Sequence, residues 1–441
     1  MAARVFTVCC RSPAGQGQEE SVRTYREPAC EIPVARDTDV IVAGGGPAGL
    51  VAAVAAARAG ARTTLIEQFG YLGGTATASL MACINGFRNQ VEPDGTQTVR
   101  GIAEEIVLRL KDIGGLGKSP YPQKPYPSEP GQLDYSYAVD TEKLKYVTLR
   151  MSVEAGVDLL FHTYFCDSIV DGGAVRGIVI ENKSGRQALL AKVVVDATGD
   201  ADVAARAGAK FWQTRGSEAP RLNDSLMYRI EFGARRPEGT YACDFGTNAV
   251  VWGPYIGAID GADAEQLSRG EIEARLRVYE DFIEKQREHP ELADAKVVET
   301  PPLLGVRQTR FIEGEYKLTA EDAISGRRFD DVVAISSAPI IHYYGYRRYL
   351  KHEGYDIPYR CLVPLDVGNL LVAGRAISSE QQPYESHRSM VPIMAIGHAA
   401  GAAAALCCQM GTSPRRLDVR QLQELLIAQG AELRLGQTRR A

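Results

Sequence analysis

The alternation of apolar and polar residues becomes regular near residue 37, where short apolar runs begin to flank helical segments. Residues 39–43 are β-branched and apolar, which is typical of a strand buried on both faces. The alanine-rich residues 50–59 predict a helix that ends before Gly60. Residues 62–66 predict a second strand. This order predicts a β–α–β unit at the start of an α/β fold.

Later parts of the chain repeat the pattern. Residues 192–196 and 369–373 are apolar runs that predict two more buried strands. Residues 392–408 are mostly alanine and glycine and predict a tightly packed helix, which favours a soluble protein over a membrane span. Residues 271–288 predict an amphipathic helix. We interpret its apolar stripe as the face that packs on the core, which comprises Ile272, Leu276, Tyr279, Phe282 and Ile283.

The first predicted turn carries a glycine-rich motif with a recognisable physical purpose. Gly44 permits a tight turn, Gly46 lets a pyrophosphate approach the backbone, and Gly49 lets the helix pack against the sheet. The helix N-terminus directs free N–H groups at the phosphate. Glu67 ends the second strand, where a carboxylate accepts hydrogen bonds from a ribose diol. These features predict a dinucleotide site, whereas a glycine-rich turn of another α/β unit would leave Glu67 to chance.

Three further marks favour FAD over NAD. A glycine pair follows Glu67, the strand at 192–196 ends in Ala-Thr-Gly, and the strand at 369–373 ends at Gly374. No second Gly-x-Gly-x-x-Gly unit occurs, which argues against a reductase with separate FAD and NAD(P)H domains. The predicted cofactor-binding residues are Gly44, Gly46, Pro47, Ala48, Gly49, Glu67, Gln68, Gly73, Gly74, Thr75, Ala197, Thr198, Gly199, Gly374, Arg375, Arg388, Gly397 and Ala400.

Residues 304–310 (LGVRQTR), 314–322 (GEYKLTAED), 357–364 (IPYRCLVP) and 374–378 (GRAIS) extend the comparison. With them the chain resembles the bacterial FAD-dependent oxidoreductase family of the glutathione-reductase-like flavoproteins. The resemblance implies an α/β protein with a Rossmann-type, GR2-like domain, an inserted α+β substrate domain and non-covalent FAD. The chain departs from the family at Gln381, where members often carry histidine, and at residues 338–342, which lack an expected aspartate.

The resemblance and the sequence pattern together predict a division into four segments. Residues 1–36 form a tail and lead-in strand, and residues 37–209 form the first part of the FAD-binding domain. Residues 210–355 form the substrate domain, and residues 356–441 complete the FAD-binding domain. A small-molecule substrate is the expected partner.

Composition excludes several classes of function. A formal net charge of −5 provides no basic surface for nucleic acid or an anionic membrane. Nine cysteines at irregular spacings, without a Cys-x-x-Cys pair, argue against a metal site, an iron–sulfur cluster or a dithiol redox centre. Reduced thiols indicate a cytoplasmic protein. A homodimer is the general expectation for such enzymes.

The predicted reaction is hydride transfer from a small organic substrate to flavin N5, as in a dehydrogenase or oxidase. His342 and His387 are the candidate bases, and Tyr344 is a candidate donor to a developing oxyanion. Arg307 is a candidate carboxylate ligand, although each of these four residues could equally be structural. Two alternatives remain open: an NAD(P)H-dependent flavin monooxygenase, and a non-catalytic flavin-binding assembly or sensor protein.

Overall fold

A computed structural model of the chain describes residues 24–89, 96–119, 133–213, 222–236, 241–341 and 347–434. Within these ranges the α-helices are α1 (Pro47–Arg58), α2 (Thr75–Ala78), α3 (Ile102–Asp112), α4 (Thr141–Glu154), α5 (Asp202–Arg206), α6 (Ala264–Glu288), α7 (Ala320–Ser325), α8 (Gln381–His387), α9 (Met390–Met410) and α10 (Val419–Ala428).

The first eleven strands are β1 (Val34–Ala43), β2 (Thr63–Ile66), β3 (Cys83–Asn85), β4 (Leu116–Gly117), β5 (Ser136–Val139), β6 (Asp158–Leu160), β7 (Tyr164–Asp171), β8 (Ala174–Asn182), β9 (Gly185–Asp196), β10 (Phe211–Gln213) and β11 (Asp224–Ser225). The remaining strands are β12 (Tyr228–Glu231), β13 (Cys243–Asp244), β14 (Asn248–Val251), β15 (Tyr255–Gly257), β16 (Lys296–Glu299), β17 (Arg310–Ile312), β18 (Val332–Ser336), β19 (Ile340–Ile341), β20 (Arg347–Arg348), β21 (Tyr355–Pro358) and β22 (Leu370–Val372).

A seven-stranded sheet forms the centre of the protein, in the order β6-β2-β1-β9-β8-β7, with β22 also paired to β9. β1 is parallel to β2 and β9, and β22 is parallel to β9. The carboxyl ends of β1, β2, β9 and β22 therefore meet at one edge of the sheet, which is where ligands bind in open α/β folds. The β7–β8 hairpin adds antiparallel strands on the other side of β9.

The predicted β–α–β unit is confirmed, with shifted bounds. β1 begins at Val34, so the lead-in residues belong to the same strand as the predicted run, and β1 pairs with β9 from Val34 onward. α1 begins at Pro47 rather than at residue 50, because proline fits the first turn of a helix. The apolar second half of β1, residues 40–43, is fully buried, and the residues of α1 up to Ala56 are also buried.

Helix α9 lies directly against α1. It is long and apolar enough to cross a membrane, yet 83% of its most apolar window is buried inside the protein. Its contacts include α1 and β18, and its side chains belong to the same apolar core as those of α1. The low content of large residues in both helices lets their backbones approach closely.

Residues between β10 and β21 build several small sheets beside the central one. The largest has four antiparallel strands in the order β13-β14-β12-β16, and α6 covers one of its faces through a separate apolar cluster. β18 pairs with β21 across the predicted domain boundary at residue 355. Both strands contribute to the core that contains α1 and α9, so part of the predicted substrate segment packs with the FAD-binding segment.

The predicted core face of α6 is wrong for four of its five residues. Ile272, Leu276, Tyr279 and Ile283 are 62%, 65%, 55% and 45% exposed, and only Phe282 is buried. The buried face instead carries small residues, because the helix lies very close to its neighbours. A Cβ atom on Gly270 would come within 3.0–3.2 Å of side chains from Ile259, Leu304 and Ile256.

This assignment of the two faces of α6 predicts that two truncations in the same helix lower the free energy of unfolding by very different amounts. Phe282→Ala removes a buried ring and is expected to lower the free energy of unfolding by about 3–5 kcal/mol. Leu276→Ala changes an exposed side chain and is expected to cost less than about 0.5 kcal/mol. Denaturant unfolding of the two variants measures both values, and similar losses would contradict the assigned faces.

Candidate functional site

The glycine-rich turn after β1 leaves room on one side only. Gly44 has a φ of +99°, and a Cβ there would lie 2.6 Å from the carbonyl oxygen of Ala197. A Cβ on Gly49 would lie 1.8 Å from the carbonyl oxygen of Gly44, so this glycine lets α1 pack on the turn. Gly46 is different: the nearest atom to its Cβ position is the Cα of Gly74 at 4.0 Å. Gly46 therefore faces open space at the N-terminus of α1.

Among the described residues, no side chain caps the N-terminus of α1 in this space. Gly46 is its N-cap residue, with extended backbone at φ −66°, and no side chain caps the helix. Pro47 occupies the first turn, and Ala48 and Gly49 follow within it. The first N–H groups of an uncapped helix are unsatisfied and carry a partial positive charge, which suits a phosphate.

Glu67 lies beside the turn and is fixed by it. The carboxylate is buried; its Oε2 accepts a hydrogen bond from the N–H of Gly45 at 2.8 Å, and its Oε1 accepts one from Phe69 at 2.9 Å. Burial raises the pKa of Glu67, while these backbone bonds oppose the rise. Gln68, also predicted as a cofactor residue, is exposed. The acid at the end of β2 is thus held where the motif requires it.

The glycine pair after Glu67 packs onto the same turn. A Cβ on Gly74 would lie 2.7 Å from the Cα of Gly46, and Gly74 has a φ of +48°. Thr75 begins α2 directly after the pair. Gly73 donates its N–H to the carbonyl oxygen of Gly45 at 2.9 Å. Only glycine allows this close approach, so the pair forms one wall of the space in front of Gly46.

The opposite wall comes from the ends of β9 and β22. Thr198 donates its hydroxyl to the buried carboxylate of Asp196 at 2.7 Å. The backbone carbonyl group of Ala197 packs against Gly44. A Cβ on Gly374 would lie 3.3 Å from the Cβ of Ala48, so the end of β22 reaches the N-terminus of α1.

Arg375 ties these segments together. Its Nε donates to the carbonyl oxygen of Gly199 at 2.8 Å, and its Nη1 donates to that of Val306 at 2.9 Å. Its Nη2 forms an ion pair with Asp200 at 2.6 Å. All three guanidinium nitrogens of Arg375, a residue predicted to bind the cofactor, therefore donate hydrogen bonds to protein oxygens.

Gly397 and Ala400 are both buried inside the protein. A Cβ on Gly397 would lie 2.1 Å from the carbonyl oxygen of Ala48, and one on Gly401 would lie 2.0 Å from that of Ala52. The glycines of α9 thus accommodate the backbone of α1, and the cofactor contact of Gly397 stays a prediction. Ala400 is fully buried in the core.

A cluster of three arginines continues from this wall toward the inserted segment: Arg307, Arg375 and Arg388. Arg307 follows Val306, which accepts from Arg375, and the hydroxyl of Tyr384 donates to the carbonyl oxygen of Arg307. Burial, together with the charges of Arg307 and Arg375, lowers the pKa of Arg388 to about 10, although the nearby Glu385 opposes the change. Within the described part of the chain, no carboxylate forms an ion pair with Arg307 or Arg388.

Asp224 lies next to this arginine cluster. Its Oδ1 accepts the N–H of Arg307 at 2.8 Å, and its Oδ2 accepts that of Ile259 at 3.0 Å. Burial raises the pKa of Asp224 to about 6, although these bonds and the charges of Arg307 and Arg375 oppose the rise. The sequence analysis missed Asp224, because nothing in the local sequence distinguishes it from an ordinary turn residue.

The remaining predicted catalytic residues have different surroundings. His342 and Tyr344 lie outside the described residues. His387 is fully buried, its Nε2 lies 3.0 Å from the Ser379 hydroxyl, and burial lowers its pKa to about 3. Gln381, at the departure from the family pattern, pairs with the buried Gln308 through two amide hydrogen bonds of 2.8 and 3.0 Å.

The residues present fit a dinucleotide cofactor. The space in front of Gly46, the uncapped N-terminus of α1 and the fixed carboxylate of Glu67 correspond to the sites of pyrophosphate and ribose. With the parallel sheet, this site defines a Rossmann-type flavoprotein.

The chain belongs to the family described as FAD dependent oxidoreductase, whose model matches residues 39–233 and 223–426. It is therefore an enzyme of the oxidoreductase class, and FAD is its cofactor. The predicted family, fold class and cofactor are confirmed.

Several known proteins are similar to parts of the chain. A thiamine thiazole synthase from Aeropyrum pernix is 34% identical over 207 residues, which cover 44% of this chain and 65% of that protein. A digeranylgeranylglycerophospholipid reductase from Methanoculleus marisnigri is 30% identical over 177 residues, which cover 38% of this chain and 41% of that protein. Both matches span less than two thirds of the relative.

Among solved structures, a geranylgeranyl bacteriochlorophyll reductase-like protein from Thermoplasma acidophilum has a TM-score of 0.49 and 16% identity. The alignment covers 90% of this chain and 84% of that one.

The contrast between Gly46 and Gly49 predicts how the cradle responds to substitution. Gly46→Val places a side chain in open space at a permitted φ, so the apoprotein is expected to keep its stability. The side chain would occupy the phosphate position, and the dissociation constant for FAD is expected to rise at least about tenfold, or about 1.4 kcal/mol. Fluorescence titration of apoprotein with FAD measures this change.

Gly49→Ala is the matched control, because its Cβ would collide with the carbonyl oxygen of Gly44. This variant is expected to lose thermal stability even without FAD. Unchanged FAD affinity in Gly46→Val would show that the pyrophosphate binds elsewhere.

Proposed function

We propose that the protein is an FAD-dependent dehydrogenase or oxidase that removes two electrons from a small organic anion. The observation that carries the proposal is the arginine cluster, which starts at the cofactor cradle and has two guanidinium groups that form no ion pair with a carboxylate in the described structure. Bound FAD supplies the two-electron acceptor.

The arginine cluster supports an anionic substrate on energetic grounds. A buried guanidinium without a counter-ion is unfavourable, as the lowered pKa of Arg388 reflects. Arg375 is neutralised by Asp200, whereas the Arg307 guanidinium, among the described residues, has a 3.4 Å hydrogen bond to the Ser225 hydroxyl and lies over the ring of Tyr255. A carboxylate bound by Arg307 and Arg388 would balance their charges through charge-assisted hydrogen bonds.

Asp224 is the proposed proton acceptor. Oxidation of an organic substrate releases a proton, and a base works best when its pKa lies near the working pH. Burial places the pKa of Asp224 at about 6, within that range. Its contact with the backbone of Arg307 fixes the carboxylate beside the proposed anion site. His387 is less suitable, because its pKa of about 3 makes it a weak proton acceptor.

The first experiment is anaerobic reduction of the FAD-loaded protein, followed by visible absorption. A panel of small hydroxy and amino acids is expected to bleach the flavin band, whereas NADPH is expected to leave it unchanged. Bleaching by NADPH alone, followed by oxygen insertion into a product when oxygen is then added, would instead indicate the monooxygenase. A flavin that no small molecule reduces would favour the non-catalytic alternative.

Arg307→Gln is expected to raise KM for the anionic substrate about 10- to 100-fold. This corresponds to the roughly 1.5–3 kcal/mol of a hydrogen bond to a charged group. Steady-state kinetics measures the effect. Arg310→Gln is the control, because Arg310 is already paired with Asp202 at 2.8 Å. This substitution is expected to leave KM nearly unchanged. A larger effect of Arg310→Gln would remove the basis of the proposed anion site.

The raised pKa of Asp224 predicts an acid limb in the pH profile. The carboxylate accepts a proton only when it is ionised, so kcat/KM is expected to fall about tenfold per pH unit below about pH 6. Asp224→Asn is expected to reduce kcat about 10²- to 10⁴-fold.

Asp202 provides a matched control for this profile. Burial and nearby carboxylates also raise the pKa of Asp202 to about 6. However, Asp202 forms an ion pair with Arg310 and not with Arg307. Asp202→Asn is expected to keep the acid limb. If Asp202→Asn removes the acid limb and Asp224→Asn retains it, the titrating carboxylate is Asp202, which contradicts the proposal.

A further inference from the structure

Two cysteines far apart in sequence meet in the interior of the protein. Cys83 begins β3 and Cys243 begins β13, and both are buried as free thiols. The sequence analysis argued against a dithiol centre because the chain has no Cys-x-x-Cys pair. The fold brings together a pair that spacing along the chain does not reveal.

The backbone explains why the two thiols come together. Lys118 and Asp244 exchange backbone hydrogen bonds of 2.8 and 3.2 Å, which places Cys243 beside Ser119. The hydroxyl of Ser119 lies 3.6 Å from the Sγ of Cys83. Cys243 therefore lies beside the residue that contacts the Cys83 thiol, and the two thiols are close enough to shift each other's pKa.

The surroundings make the two thiols unequal. The hydrogen bond from Cys243 lowers the pKa of Cys83, burial opposes this, and Ser119 and the charge of Arg347 lower it further. Burial raises the pKa of Cys243 well above its ordinary value, and the neighbouring Cys83 adds to the rise. A thiolate is the nucleophilic form of cysteine, so Cys83 is the attacking group and Cys243 the resolving one.

The Cys83 thiol is buried, but it lies next to residues that reach the surface. Ser119, which contacts its Sγ, is partly exposed, and Lys118 beside it is exposed. Other buried thiols differ: burial raises the pKa of Cys407 to about 12, and no thiol partner is hydrogen-bonded to it in the described structure. The pair therefore combines a nucleophile and a resolving thiol beside residues that reach the surface.

We propose that Cys83 and Cys243 form a reversible disulfide when the protein meets hydrogen peroxide. The Cys83 thiolate attacks one peroxide oxygen; the O–O bond breaks, water leaves, and Cys83 becomes a sulfenic acid. The Cys243 sulfur then attacks the Cys83 sulfur, a second water leaves and the S–S bond forms. Two thiols and one peroxide give one disulfide and two waters, and a dithiol reductant reverses the reaction.

The disulfide would join two separate parts of the fold. β3 pairs with β5 beneath the FAD-binding core, whereas β13 belongs to the four-stranded sheet that α6 covers. A covalent bond between them restricts motion of that sheet relative to the cofactor segment. The site is independent of the proposed reaction, because none of its residues belongs to the arginine cluster or contacts Asp224.

The test treats FAD-loaded protein with a small excess of hydrogen peroxide, blocks remaining thiols with an alkylating reagent and maps peptides by mass spectrometry. The expected product is one cross-linked peptide pair containing Cys83 and Cys243, which dithiothreitol separates. Exposed Cys30 reports that oxidant was active. Recovery of both Cys83 and Cys243 as alkylated thiols, under conditions that oxidise Cys30, would overturn the proposal.

Two variants test the assigned order of attack. Cys243→Ser is expected to leave Cys83 as a sulfenic acid that dimedone traps, because the resolving thiol is gone. Cys83→Ser is expected to leave Cys243 as an unmodified thiol. Trapping of Cys243 in the Cys83→Ser variant, at a rate similar to that of Cys83, would contradict Cys83 as the nucleophile.

Discussion

The close contact between α1 and α9 is the constraint on which the site depends. Gly397 and Gly401 lie where any side chain would collide with the carbonyl oxygens of Ala48 and Ala52. On its other side, α1 is pressed onto its own turn through Gly49. The N-terminus of α1 is thus fixed from two directions, and the direction of its free N–H groups follows from this packing. Buried apolar area alone would not fix that direction, since it is insensitive to orientation.

Buried polar groups complete what the helices begin. Glu67 joins β2 to the turn, and Arg375 joins the ends of β9 and β22 to the segment that carries Arg307. His398, inside α9, meets Gln429 at 2.7 Å, and the amide of Gln429 also donates to the carbonyl oxygen of Ala55. Each buried polar group thereby links segments that are distant in sequence, and each would be costly to leave unpaired. The site is therefore positioned by the whole core rather than by one loop.

The sequence was sufficient for features that short-range chemistry determines. The turn at Gly44, the helix that begins after it and Glu67 at the end of β2 all follow from spacing within one β–α–β unit. α6 shows the limit of such reasoning: its pattern reveals an apolar stripe but not the side on which the sheet lies. Small residues such as Gly270 and Ala274 face the core because the neighbouring segments approach closely. Asp224 and the Cys83–Cys243 pair depend on contacts between distant segments, which no local pattern records.

The pairing of β22 with β9, together with the packing of α9 on α1, also governs the order of folding during synthesis. β1, α1 and β2 leave the ribosome early, but β22 and α9 lie near the end of the chain. Until those last segments emerge, one side of α1 has no helix to cover it and β9 lacks a neighbour along its final residues. Contacts of such long sequence separation form slowly, and the exposed apolar surface favours aggregation in the meantime. The nucleotide-binding unit of the nascent enzyme therefore stays incompletely covered until β22 and α9 have been synthesised.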